Sequence, residues 1–140
     1  MDINNLKAEL IRDEGLKLEL YKCTSNKVSV GVGRNLTDRG ITNDEAMLLL
    51  NNDISICEDE LDIYYPWWRS MPDSAQRGLV NMMFNMGRPT LSKFSGMLAC
   101  LESGDYIGAA ANALDSRWAS QVGDRSKRVA ELFKEAANVE

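Results

Sequence analysis

Between Leu16 and Val32 the apolar residues fall at every second position, and on both sides of that stretch they return at helical spacing. Leu16, Leu18 and Leu20 alternate with Lys17, Glu19 and Tyr21; beyond Thr24-Ser25-Asn26, Val28, Val30 and Val32 alternate with Ser29, Gly31 and Gly33. Successive side chains of a strand point to opposite faces, so two such runs around a polar turn predict a β-hairpin. Ahead of it, Ile3, Leu6, Leu10 and Ile11 follow Asp2, a good N-cap, and predict a helix that Gly15 stops. Behind it, Thr42 caps a helix with Asp44 and Glu45 in its first turn. The apolar stripe of that helix is Ala46, Leu50, Ile54, Cys57, Leu61 and Tyr64, and Pro66 ends it. A further helix from about Pro72 to Met86 turns Ala75, Leu79, Met82, Met83 and Met86 inward and stops at Gly87. Helices over 90–103, 105–114 and 124–137 complete the pattern, with Gly104 between the first two. The expected fold class is therefore α+β, mainly helical. At 140 residues the chain makes one domain, with room to be pinched into two lobes.

The chain has no histidine, which excludes a Ser-His-Asp triad, a Cys-His peptidase and a His-ligated zinc amidase. CxxC, GxGxxG and Walker motifs are missing as well, so no metal or other cofactor is implied. Enzymatic chemistry would have to come from carboxylates, a thiol, hydroxyls, Lys, Tyr or Arg. Cys23, Cys57 and Cys100 are odd in number and far apart, which argues against a disulfide framework. Cys57 and Cys100 sit in apolar helical patterns and are expected as buried thiols. Trp67 and Trp68, in the run Tyr-Tyr-Pro-Trp-Trp, are expected to pack, and so is Trp118.

No apolar run approaches the roughly 18 residues that a membrane span needs. The start, MDINNLKAELIRDEG, has no signal-peptide core, so a cytoplasmic origin is expected. Seven of the 21 acidic residues fall between Asp44 and Asp62, where no basic residue occurs; 14 are left against all 16 basic ones. An acidic run of this kind reads as a solvated helix face, and it leaves the remaining surface free to meet an anionic polymer.

Glu14 stands at the end of the first helix, where orphan carbonyls and the negative end of the dipole favour a protonated carboxyl. It reads either as a solvated helix-end residue or as a general acid. Its surroundings carry more information. The segment IRDEGLKLELYKCTSNKVSVGVG, from Ile11 to Gly33, resembles the catalytic segment of the phage-type lysozymes, the glycoside hydrolase family that contains the T-even coliphage enzyme. That family's pattern is Glu, eight residues, Asp, five residues, Thr; here the places are held by Glu14, Cys23 and Ser29. Downstream, GITNDEAMLLLNNDI is similar to the family's interlobe helix, GLVNMMFNMG to its central helix, and SRWASQVGDRSKRV to its Arg-rich C-terminal segment.

The resemblance implies a bilobed fold with a substrate cleft. The small lobe would span about 13–42 and the interlobe helix about 43–65, with a helical lobe over about 66–140 plus 1–12. The short stretch between Gly33 and Ile41 implies a pared-down small lobe. The resemblance also implies roles. Glu14 would be the general acid, Arg125 the Arg beside it, and Gln121 and Asn85 cleft residues. Arg34 stands where some members place the His of a structural ion pair. Ser29 keeps the hydroxyl of the motif's Thr. Cys23 leaves three readings open: a thiolate base or nucleophile, a neutral thiol that positions water beside Ser29, or a remnant without activity. The implied reaction is inverting hydrolysis of the β-1,4 bond between N-acetylmuramic acid and N-acetylglucosamine in peptidoglycan. Its implied setting is phage lysis by a monomer that accumulates in the host cytoplasm and reaches the periplasm and wall through a holin. No nucleic acid partner is implied. A lytic transglycosylase and a non-catalytic wall binder are the rival readings.

Overall fold

Asp2 opens the first helix by accepting the Asn5 amide at 3.0 Å, and Gly15, at φ +80°, closes it by donating to the Ile11 carbonyl at 2.8 Å. The helix, α1, is Ile3–Glu14. The computed structural model describes residues 1–139, and it is a mainly helical α+β fold, as the periodicity predicts. Its contacts divide into two compact units, Met1–Leu49 and the chain from Leu50 onward, with α1 grouped in the first. Among the described residues no helix is long and apolar enough to cross a membrane.

In the first unit the predicted hairpin is present as β1 (Lys17–Lys22) and β2 (Val28–Gly31), with Tyr21 opposite Ser29 and Lys22 opposite Val28. A third strand, β3 (Arg34–Asn35), pairs with β2, so the antiparallel order is β1-β2-β3. The alternation had extended the hairpin through Val32. Instead Gly31 and Gly33, at φ +71° and +66°, turn the chain back after β2. A short helix, α2 (Leu36–Arg39), follows.

This unit carries little apolar burial. Leu18 is 86% exposed and Leu20 67%, so the leucine face of β1 is not the half-buried face that alternation predicts. Ser29 is the one fully buried residue described in the unit. A sheet face is buried only by a second layer, and residues 33–41 supply no more than a two-residue strand and a four-residue helix.

Polar bonds fasten the unit instead. The Arg34 guanidinium grips Glu45 with two bonds of 2.8 Å and donates a third, at 3.1 Å, to the Gly40 carbonyl. Glu45 also accepts the Thr42 amide at 2.8 Å, while Thr42 Oγ1 accepts the Glu45 amide at 3.2 Å, a capping box for the next helix. The Val28 amide donates to Thr37 Oγ1 at 2.9 Å, and Lys27 pairs with Asp38 at 3.2 Å.

Helix α3 (Asn43–Tyr64) begins in the first unit and ends in the second. Of its predicted stripe only Cys57 and Leu61 are buried; Leu50 is part exposed and Tyr64, under the Arg88 guanidinium, is half exposed. A stripe is buried only where another element packs on it, and the core begins at Cys57. A 3₁₀ turn over Pro66–Ser70 follows, in which Trp68 is buried as expected. Asp62 accepts the Trp68 indole N–H and the Arg69 Nε–H, each at 2.8 Å, so the acidic run is partly engaged. Both bonds hold its carboxyl below the usual range, Arg69 first.

Helix α4 (Asp73–Met86) is the centre of the second unit and packs on α9 (Asp124–Ala136), which also meets α7 (Tyr106–Leu114). Phe133 on α9 is fully buried, and Gly78 on α4 makes room for it: a Cβ at Gly78 would come within 2.7 Å of the Phe133 ring. The single helix expected over 90–103 is two, α5 (Arg88–Leu91) and α6 (Ser95–Ser103). Between them the Ser92 hydroxyl donates to the Pro89 carbonyl at 2.7 Å, competing with the helical ladder. The segment SRWASQV, given no element by its periodicity, contains α8 (Arg117–Val122). Cys57 is buried as expected, but Cys100 is only half-buried, at the rim of the core.

Two outcomes follow from this packing. Gly78→Ala should lower stability by about 1–3 kcal/mol through overpacking, outweighing the ~1 kcal/mol that alanine adds to an exposed helix; denaturant unfolding measures it. Glu45 is held down to about 2, chiefly by its bonds to Arg34. A depressed carboxyl stabilises the fold above its unfolded value and loses that effect as pH falls through the folded one. Stability should thus decline between about pH 4.5 and 2, and Arg34→Met should flatten that part of the melting-temperature profile.

Candidate active site

Glu14 is the last residue of α1 and its side chain is exposed. It runs alongside the β2–β3 turn: a Cβ built on Gly33 would lie 3.0 Å from Glu14 Oε2, 3.4 Å from Cδ and 3.6 Å from Cβ. The periodicity of the sequence contains no trace of this contact, because it links a helix end to a turn 19 residues on.

Cys23 follows β1 at the start of the hairpin loop. Its amide donates to the Lys27 carbonyl at 2.9 Å, its carbonyl accepts the Asn26 amide at 2.9 Å, and Asn26 takes a left-handed φ of +62°. These are the marks of a three-residue hairpin loop with a residue of positive φ before the returning strand. The Lys27 amide, then that of Ser25, pulls the thiol below its ordinary range, against a smaller opposing effect of burial. The effect is that of amide dipoles on an anion, and it works without Lys22, which is exposed on the other face of the strand.

Ser29 is buried on β2 opposite Tyr21, and Cys23 lies two residues beyond Tyr21. Residues two apart on a strand share a face, so the alternation of β1, continued one residue past its end, would put Cys23 on the side of Tyr21 and Ser29. The other two thiols behave in the opposite way. Burial, reinforced by Glu60, Asp53 and Glu58, pushes Cys57 up; burial and Asp105 push Cys100 up.

The second unit holds the remaining predicted residues. Asn85, at the end of α4, and Gln121, on α8, line one pocket of about 750 Å³ with Phe94, Asn112, Arg117 and Trp118. Trp118 is buried, stands edge-on to Phe94 at 6.4 Å, and donates its indole N–H to Asn85 Oδ1 at 2.8 Å. Arg125 is not in that pocket. It lines a second hollow, of about 510 Å³, where its Nε donates to Asn81 Oδ1 at 2.8 Å and a longer bond of 3.4 Å reaches the Asn81 carbonyl. Neither Asn81 nor the Trp118–Asn85 bond was singled out by the sequence.

Against known proteins, the model of the phage lysozyme family matches residues 12–135. The chain belongs to the phage lysozyme family. Membership puts it in the lysozyme, or muramidase, class of glycoside hydrolases. The chain is 26% identical to the probable T4-type lysozyme 2 of Dictyostelium discoideum and 24% identical to lysozyme 1 of that organism, covering 94% of this chain and 95% of each relative. It is also 30% identical to the pre-baseplate central spike protein Gp5 of Enterobacteria phage T4, over 90% of this chain but only 27% of that much longer protein.

The opposed thiol environments predict selective labelling. A small methylthiolating reagent should modify Cys23 first, and the rate should rise with pH along a titration centred below that of an ordinary thiol. Peptide mass spectrometry over a pH series measures both.

Proposed function

We propose that this lysozyme-family chain hydrolyses the β-1,4 bond between N-acetylmuramic acid and N-acetylglucosamine with inversion, using Glu14 as general acid and the Cys23 thiolate in place of the motif's carboxylate. The observation that carries this reading is the place of Cys23, two residues beyond the Tyr21 that pairs with Ser29, and the loop amides that lower the thiol's proton affinity support it. A thiolate formed there can do what a carboxylate does at that place: accept a proton from water.

In the proposed step Glu14 gives its proton to the glycosidic oxygen as the bond to the anomeric carbon breaks. A water held by the Ser29 hydroxyl gives its proton to the Cys23 thiolate and attacks that carbon from the opposite face. The products are two shorter glycan strands with one water added. Arg125, held by Asn81, is assigned a supporting role in the same reaction, as the family resemblance implies. Asn85 and Gln121, in their shared pocket, are assigned to the wall polymer. We assign the activity to host lysis: a monomer accumulates in the host cytoplasm and crosses to the periplasm and wall through a holin. A lytic transglycosylase would close an anhydro ring and consume no water, so product masses separate the two reactions.

Glu14→Gln keeps the side chain's shape but cannot donate to a leaving alkoxide, so turnover should fall by at least 10²–10⁴-fold with an unchanged melting curve. Cys23→Ala should be similarly impaired. Cys23→Asp should stay active and extend the pH–rate profile into acid, because a carboxylate stays ionised down to about pH 4. Clearing of permeabilised cells reads all three. Wild-type turnover in Glu14→Gln would remove the acid from the mechanism, and wild-type turnover in Cys23→Ala would remove the thiolate.

A further inference from the structure

We infer that Gly33 is a positioning residue for the general acid: its missing side chain is what lets the Glu14 carboxyl lie along the β2–β3 turn. The inference rests on Glu14 being that acid. Three atoms of Glu14 (Cβ, Cδ and Oε2) lie within 3.6 Å of the place a Gly33 Cβ would take, and Oε2 is at 3.0 Å. That distance is too short for a carbon and an oxygen in ordinary contact, so one of the two groups would have to move. The turn is pinned on both sides by the β2–β3 pairing of Val30 with Arg34 and by the grip of Arg34 on Glu45. The carboxyl is the terminus of a flexible, exposed side chain. It is the carboxyl that would yield. A catalytic group must be held to within about 0.5 Å of its productive place, and a misplacement of about 1 Å can cost on the order of 10²-fold in rate. A methyl group at residue 33 would therefore press Oε2 a few tenths of an ångström from its place beside the turn, without touching the chemistry of either residue.

Gly33 has a second reason to be glycine, its left-handed φ of +66°, and the two reasons can be separated inside the same turn. Gly31 has nearly the same φ, +71°, but a Cβ there meets nothing within 4 Å. Gly31→Ala and Gly33→Ala thus impose a similar backbone strain, and only the second reaches Glu14. Asparagine tolerates a left-handed φ better than alanine while still carrying a Cβ.

The experiment compares the wild type with Gly31→Ala, Gly33→Ala, Gly33→Asn and Glu14→Gln, each at a temperature where circular dichroism shows it folded. Melting temperature, kcat and KM are measured on peptidoglycan. Both alanine variants should melt several degrees lower. Gly31→Ala should keep kcat within about twofold of wild type, whereas Gly33→Ala should lose roughly fivefold to tenfold with KM little changed. Gly33→Asn should recover melting temperature over Gly33→Ala but not kcat. Equal kcat values for the two alanine variants would overturn the inference, and so would a Gly33→Asn variant that regains activity along with stability. Wild-type kcat in Glu14→Gln would remove the acid assignment and the inference with it, a failure distinct from the other two.

Discussion

The second unit depends on a ring packed against a missing side chain. Phe133 is fully buried over Gly78, and this close approach brings α4 and α9 near enough for Leu79, Met82 and Val129 to be excluded from water. The core that starts at Cys57 includes Phe133, Leu79, Met82 and Val129. The first unit has no equivalent. Its fastening is the Arg34 fork on Glu45, tied into the capping box that starts α3. One unit is organised by volume and the other by directed hydrogen bonds.

That difference explains which parts of the fold were legible in the sequence. Helices whose apolar stripe meets a core, such as α4 and α9, appear where the spacing puts them, and α4 ends at the expected Gly87. Periodicity reports burial, so it overreached where little is buried: Leu18 and Leu20 on β1 are exposed, and in the early stripe of α3 Leu50 is exposed while Ala46 and Ile54 are only partly buried. It was also blind to elements too short to show a period. The strand Arg34–Asn35 and the helices Leu36–Arg39 and Arg117–Val122 last two to six residues. The break between Arg88–Leu91 and Ser95–Ser103 is likewise a local feature, which no apolar pattern encodes.

Resemblance supplied the names of the candidate site residues, and the physical environment of each came from the structure. Cys23 illustrates the gap. Sequence showed a thiol where the family has a carboxylate. What lowers its proton affinity is the folding back of the loop that brings the Lys27 and Ser25 amides to the sulfur. Amides are present in every sequence at every position, so only their direction carries the information. The same holds for Asn85, whose role as acceptor for the Trp118 indole depends on two helices meeting 33 residues apart.

The exposed leucines of β1 bear on how this protein lives with other copies of itself. β1 lies at one end of the sheet, so one of its edges has no strand beside it there. A flat edge carrying Leu18 and Leu20 would be a template for the growth of aggregates. Lys17, Glu19 and Lys22 interrupt it with charges that an incoming strand would have to desolvate, and the irregularity in register between Lys17 and Tyr21 spoils the straight run of backbone groups. The alternation that writes a strand into this stretch also sets charged gatekeepers among its exposed leucines.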